Sequence, residues 1–232
     1  MKHSIFKTTL AICIAVSGFF STQPVSAQYY QIANQLPSLL SPALSGSMNY
    51  KGYVDISGIA GFGNNRANFI GISTSQGFQY SSWFFMGVGV GIDIAMTNRN
   101  DDNEMFPGEP YPDYYGHAFS QTKAMIPVFS DFRFNIGSPS DVSVFIDLKV
   151  GATWLIGDSY LWLQRGRLGG GTQFYLKPSI GFRVPVSTTT PPRQAINFGV
   201  TYQLITSNNN WTYWNSNSAT LNGLGLTIAY EW

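Results

Sequence analysis

The segment Leu221–Trp232 reads LNGLGLTIAYEW and determines the fold class. From Gly223 onward its odd-numbered positions carry glycine, threonine, alanine and Glu231, which are small or polar. An alternation with a period of two predicts a β-strand with one apolar face. We expect this strand to run to the last residue rather than to fray into water, because that residue belongs to the apolar face. The apolar face consists of Leu224, Leu226, Ile228, Tyr230 and Trp232.

Seven upstream stretches alternate in the same way, so the sequence predicts eight strands. Each is longer than the roughly 9 to 11 residues that a tilted membrane-spanning strand requires. After a first tight hairpin, the connections alternate between short and long, which is typical of periplasmic turns and extracellular loops. The predicted strands are 50–62, 67–80, 83–96, 123–136, 142–156, 173–186, 195–206 and 221–232, and 157–172 is predicted to be a loop.

The polar face of the third strand indicates which side of the sheet lies inside. It carries Phe85, three glycines, Asp93 and Ala95, which suit a narrow lumen better than a hydrated outer surface. Charged residues make up only 11% of the sequence, against about a quarter in typical soluble domains. We therefore predict an all-β protein, an eight-stranded antiparallel transmembrane up-and-down β-barrel.

The N-terminal region predicts export. Residues 1–27 combine a basic start, an apolar run and the small-residue site Val25-Ser26-Ala27, which is typical of a secretory signal peptide. Residues 28–47 contain two prolines and are expected to form a short periplasmic lead-in, and residues 48–232 are expected to form the barrel. Cys13, the only cysteine, lies inside the signal peptide, so we expect no disulfide in the mature chain.

Residues 48–232 resemble the small bacterial outer-membrane β-barrel family, with a layout similar to the OmpA barrel and OmpX. The resemblance implies an outer-membrane location, contact with outer-membrane lipid and a monomeric state. It also implies that the barrel-assembly machinery recognises the C-terminal strand through Tyr230 and Trp232. The stretches that carry the resemblance are 52–55, the glycine stripe ending at Asp93, 127–133, 144–151, 178–183 and the C-terminal strand.

Strand parity places five basic and five acidic side chains inside the predicted barrel. Buried charges persist when they are paired and hydrogen-bonded, and an eight-stranded barrel is just wide enough to be filled by its own side chains. We therefore predict that a water-lined network of salt bridges closes the lumen. Its members are Lys51, Asp55, Asp93, Asp131, Arg133, Asp147, Lys149, Lys177, Arg183 and Glu231.

These features favour a non-enzymatic protein with a structural or surface-adhesion role, since the predicted long loops are rich in tyrosine, tryptophan and asparagine. A narrow porin-like diffusion channel is the first alternative. A lipid-modifying enzyme using His117 and Ser120 is the second, although a spacing of three on a strand points the two side chains to opposite faces. The acidic stretch 101–113 could bind calcium, but its spacing matches no calcium loop. We expect no cofactor and no metal, and the near-neutral charge argues against nucleic acid.

Overall fold

Eight strands close into an antiparallel barrel, which confirms the predicted fold class. The computed structural model describes residues 49–63, 65–99, 119–157, 161–163, 166–169, 171–187, 194–207 and 219–232. Around the ring the strands follow the order β1-β10-β9-β8-β5-β4-β3-β2, and β6 and β7 form a separate two-stranded sheet. Among these residues no helix is long and apolar enough to cross a membrane.

The barrel strands are 13 to 18 residues long. We call the end of the barrel where β1 begins and β10 ends the terminal end, and the opposite end the loop end. The elements are β1 (Asn49–Phe62), β2 (Asn68–Ser81), β3 (Phe84–Arg99), β4 (Phe119–Ile136), β5 (Ser143–Leu155), β6 (Leu161–Leu163), β7 (Gly166–Leu168), β8 (Gln173–Pro185), β9 (Ala195–Ser207) and β10 (Ala219–Glu231).

In every barrel strand the inward-facing residues carry odd numbers and the outward-facing residues carry even numbers. The burial pattern of β5 shows this alternation, because Phe145, Asp147 and Lys149 are buried while Ile146 is exposed. Side chains on a strand point alternately to opposite faces of the sheet. The odd-numbered residues of the strands therefore line the lumen, and the even-numbered residues form the outer wall.

The two ends of the chain's barrel region close the ring at the terminal end. The backbone N–H of Trp232 donates to the carbonyl of Gly52, and the N–H of Gly52 donates to the carbonyl of Trp232, both at 3.1 Å. A Cβ atom on Gly52 would lie 2.6 Å from Cε2 of Trp232 and 2.6 Å from Oε1 of Gln76. Glycine at position 52 thus leaves room for the terminal indole ring, which stacks on Tyr230 with ring centroids 6.0 Å apart.

Besides shifts at strand ends, such as β4 beginning at Phe119 rather than at 123, two details differ from the sequence prediction. The turn after β2 is Ser82-Trp83 rather than Ser81-Ser82, because the pairing of β2 with β3 shifts register between Gln79 and Ser81. The stretch 157–172, predicted as a loop, contains the short strands β6 and β7, which pair with each other from Leu161 opposite Leu168 to Leu163 opposite Gly166. A three-residue strand is too short to be recognised from alternation alone.

Candidate functional site

A cluster of charged side chains lies at the centre of the lumen. Nη2 of Arg133 donates to Oδ2 of Asp147 at 2.9 Å and lies 3.4 Å from Oδ1 of Asp55. Nζ of Lys149 lies 2.8 Å from Oδ2 of Asp55 and 3.5 Å from Oδ2 of Asp147. All four side chains are almost fully buried. We call this set, together with Asp131, the central cluster.

Asp131 completes the central cluster. Its carboxylate accepts a hydrogen bond from the hydroxyl of Ser75 on β2, and it is the cross-strand partner of Lys149. The cluster therefore contains three carboxylates and two cations. Both cations contact Asp55 and Asp147, so loss of either one leaves a single cation among three acidic side chains.

Aromatic rings hold the guanidinium group of Arg133 in place. Its Cζ lies 3.8 Å from the ring centroid of Tyr53 and 5.3 Å from that of Phe145. The Tyr53 ring in turn packs edge-on against Phe85 at a centroid distance of 4.8 Å. Cations over aromatic faces are attracted by the ring quadrupole. Arg133 is thus fixed both by its carboxylates and by the rings around it.

The central cluster reaches across the lumen. Asp55 lies on β1 and Lys149 on β5, which are four strands apart in a ring of eight and therefore face each other. Asp93 on β3 accepts a hydrogen bond of 3.3 Å from Nε2 of Gln203 on β9, which is also the opposite strand. Contacts between opposite walls therefore cross the lumen at both levels.

Three further predicted residues form a group at the terminal end. Arg183 donates two hydrogen bonds to the carboxylate of Glu231, from Nε to Oε2 at 2.8 Å and from Nη2 to Oε1 at 3.0 Å. Lys51 pairs with Oε1 of the same carboxylate, and Nη1 of Arg183 also donates to the carbonyl of Pro139 at 3.0 Å. Such two-pronged arginine–carboxylate pairs are among the strongest in proteins. This group ties β10 to β8 and to β1.

The last two predicted residues, Asp93 and Lys177, are buried but bond to neutral groups. Nζ of Lys177 donates to the hydroxyl of Ser57 at 2.7 Å, and Asp93 bonds to Gln203 as described above. All ten predicted residues therefore face the lumen, and their contacts divide eight of them into the central cluster and the terminal group. Asp93 and Lys177 stand apart from both on the side towards the loop end.

The loop half of the lumen contains a large apolar cluster, which the sequence prediction missed. The hairpin β6–β7 places three fully buried leucines there, and inward side chains from the surrounding barrel strands pack in the same cluster. We call this set the apolar cluster. Its members are Ile59, Ala67, Phe69, Ala95, Met125, Phe129, Leu155, Leu161, Leu163, Leu168, Tyr175, Ile205 and Leu221.

A signal for the apolar cluster was present in the sequence. Ile59, Met125, Leu155 and Ile205 are odd-numbered, and so belong to the face predicted to be polar, yet each is apolar and lies near the loop end of its strand. If the polarity of the inward-facing residues is followed along each strand, rather than averaged over the strand, the sequence predicts a lumen that becomes more apolar towards the loop end. A network of salt bridges along the whole lumen was therefore only half of the arrangement.

Several predicted features lie outside the described residues. They are the signal peptide at 1–27, the lead-in at 28–47, the acidic stretch 101–113, His117 and the aromatic residues of the loops at 111–115 and 211–214. Ser120 belongs to β4, but its side chain lies outside the described part as well. Within the described ranges no group of three or more histidine, cysteine or acidic side chains is placed to hold a metal ion.

The outer wall of the barrel is apolar, whereas the terminal half of the lumen is charged. Val88 and Leu226 are 67% exposed, and Ile56 is 57% exposed. Meanwhile Asp131 and Arg133 are fully buried inside. An apolar outer face around a polar interior is the arrangement of a barrel that spans a membrane with strands. In architecture the chain is a small membrane-spanning β-barrel of eight strands.

Aromatic side chains mark the rims of this outer wall. At the terminal end Phe84 packs against Phe134 with ring centroids 5.1 Å apart, and Trp83 stacks on Phe134 at 6.1 Å. Towards the loop end Nε1 of Trp154 donates to the hydroxyl of Thr172 at 3.0 Å. Tryptophan and tyrosine prefer the membrane–water interface because their rings are apolar with a polar edge. The rims therefore fit the two interfaces of a bilayer.

Comparison with solved structures finds other barrels of this kind. Neisserial surface protein A (NspA) is 10% identical with a TM-score of 0.49, over 78% of this chain and 95% of that chain. The outer membrane enzyme PagL is 13% identical with a TM-score of 0.47, over 76% of this chain and 97% of that chain. The Yersinia pestis outer membrane protein Ail is 11% identical with a TM-score of 0.38, over 79% of this chain and 100% of that chain. No protein-family model and no curated protein matches the sequence.

Proposed function

We propose that this outer-membrane barrel is a non-enzymatic protein with a structural or surface-adhesion role, and that its lumen is closed. The observation that carries the proposal is the pair of cross-lumen bonds, Lys149 with Asp55 and Gln203 with Asp93, which join opposite walls. The terminal half is closed by ion pairs and the loop half by the apolar cluster. The barrel wall then serves to span the membrane, and the loops serve contact with the outside.

The proposed setting follows from the outer wall and the strand pairing. The exposed apolar side chains contact outer-membrane lipid, with the terminal end on the periplasmic side. The ring of eight strands is closed, so each of its members pairs on both sides and offers no free barrel edge to a second chain. This supports a monomer. Tyr230 and Trp232 lie at the closing seam, and we propose that the assembly machinery reads them there before the ring closes.

The wild-type protein is expected to be silent in a planar lipid bilayer. Its cross-lumen ion pairs leave no hydrated path at the level of the central cluster, so no discrete current steps are expected. The measurement is single-channel recording on refolded protein, with folding checked by heat-dependent gel mobility. Discrete openings in the wild type that change in size in Asp55→Ala would overturn the closed lumen and favour the diffusion channel.

Overproduction of the protein is expected to leave the mass of lipid A unchanged. The sequence holds only two histidines, His3 and His117, and His3 belongs to the predicted signal peptide. A histidine that acts as the general base of an acyl-transfer reaction would therefore have to be His117. Mass spectrometry of lipid A from cells producing wild type or His117→Ala tests this directly. A mass change that appears with the wild type and vanishes with His117→Ala would show an enzyme instead.

A further inference from the structure

The hairpin β6–β7 lies inside the loop half of the lumen without belonging to the barrel sheet. Its two strands pair with each other and form a sheet of their own. Next to the hairpin, Nε2 of Gln173 on β8 donates a hydrogen bond of 2.7 Å to the carbonyl of Gly169, which follows β7. The hairpin can therefore leave its place without breaking a ladder hydrogen bond of the barrel.

Apolar burial is what holds the hairpin in place. Leu161, Leu163 and Leu168 are fully buried in the apolar cluster. An isolated two-stranded hairpin is marginal in water, so its order depends on these leucines. Segments held by a few apolar contacts open locally while the rest of a protein stays folded.

The space beneath the hairpin contains polar atoms that entering water would satisfy. Among the described residues, Oγ1 of Thr153, Oε1 of Gln173 and Oε1 of Gln203 are buried without a hydrogen-bond partner. A buried polar atom without a partner costs stability that is recovered when water reaches it. Opening of the hairpin therefore exposes its leucines to water, which costs stability, but it also hydrates these three polar groups, which recovers part of that cost.

We propose that the hairpin β6–β7 is a displaceable cap, and that the loop half of the lumen opens as a one-sided pocket while the charged layer below stays closed. This inference rests on the closed lumen of the proposed function. The floor of the pocket is formed by the bond between Asp93 and Gln203 and by the hydrogen bond from Lys177 to Ser57. Below that floor lies the central cluster, whose ion pairs join barrel strands only.

Three single-cysteine reporters test the proposal in a background carrying Cys13→Ser. Leu163→Cys reports on the underside of the hairpin, Ile205→Cys on the wall of the pocket, and Ser143→Cys on an inward position in the terminal half, paired with Arg183. Each purified barrel in lipid nanodiscs is treated with a charged methanethiosulfonate reagent, and the labelling rate is measured by mass spectrometry. Heat-dependent gel mobility verifies that each variant is folded.

We expect Leu163→Cys and Ile205→Cys to label at one common rate, at least tenfold faster than Ser143→Cys. Adding Leu161→Ser and Leu168→Ser should speed both loop-half reporters at least tenfold further and leave Ser143→Cys unchanged. One rate for all three reporters would mean that only global opening gives access, and would overturn the cap. Fast labelling of Leu163→Cys with Ile205→Cys as slow as Ser143→Cys would overturn the pocket. Conductance of the wild type is a separate readout, so failure of the closed lumen and failure of the cap are distinguishable.

Discussion

Replacing Arg133 with alanine is expected to lower the free energy of unfolding by about 3–5 kcal/mol, because it leaves buried carboxylates without their partner. Arg133 contacts both Asp147 and Asp55, and the central cluster already holds three carboxylates against two cations. Its removal leaves Lys149 as the cluster's one remaining cation among the described residues. The measurement is urea-induced unfolding of the refolded protein in lipid, followed by tryptophan fluorescence and heat-dependent gel mobility.

Arg66→Ala is the matched control for Arg133→Ala. Arg66 is exposed in the turn between β1 and β2, where its Nε donates to the carbonyl of Gly63 at 3.1 Å. A surface substitution of this kind usually changes stability by no more than about 0.5 kcal/mol. Equal losses for the two arginines would contradict the view that burial and pairing make Arg133 important.

A double-mutant cycle separates the loss of the pair from the loss of arginine packing. Arg133→Ala and Asp147→Ala each break the same 2.9 Å contact. The double variant is therefore expected to lose less than the two single variants together, with a coupling of about 0.5–3 kcal/mol. Additive losses would instead assign the effect of Arg133 to its packing on Tyr53 and Phe145.

Alternation predicted the eight strands, and the polar face of the third strand together with the low charge content predicted which face lies inside. Since odd numbers face inward in all eight barrel strands, every ionisable residue that parity assigned to the lumen lies on the inward face. Parity carries no information about partners. Lys149 finds Asp55 across the barrel, and this pairing depends on strand order and on how each strand is staggered against its neighbours.

The hairpin β6–β7 shows where sequence reasoning reached its limit. Three-residue strands carry too little alternation to be recognised, and Leu161, Leu163 and Leu168 have the composition of many loops. Their burial is a consequence of the lumen below them, whose loop half is apolar. The hairpin lies inside the barrel because its leucines fit the apolar inward faces of strands that are distant in sequence. The alternation within the hairpin itself carries no information about those strands.

Gly151→Ala is expected to destabilise the barrel by about 3 kcal/mol, at the upper end of the usual overpacking cost. Gly151 faces inward on β5 between its cross-strand partners Phe129 and Tyr175. The rings of those two residues stack on each other with centroids 6.0 Å apart. A Cβ atom on residue 151 would lie 2.6 Å from Cα and 2.9 Å from Cβ of Phe129, and it would also meet the carbonyl oxygen of Val128. Because these are mostly backbone atoms, no side-chain rotation can relieve the overlap.

Gly58→Ala provides the comparison, since Gly58 faces outward on β1 and a Cβ atom there would meet nothing within 4 Å. Alanine restricts the unfolded chain more than glycine does, so this substitution is expected to be neutral or to stabilise the barrel by up to about 1 kcal/mol. The urea midpoint of Gly151→Ala should therefore fall, whereas that of Gly58→Ala should stay at the wild-type value or rise. If both variants unfold at the wild-type midpoint, the inward glycine is not needed for close approach of β4 and β5. Loss in Gly151→Ala alone would show that the inward glycine permits the close approach of β4 and β5 beside Phe129, where the charged layer meets the apolar cluster.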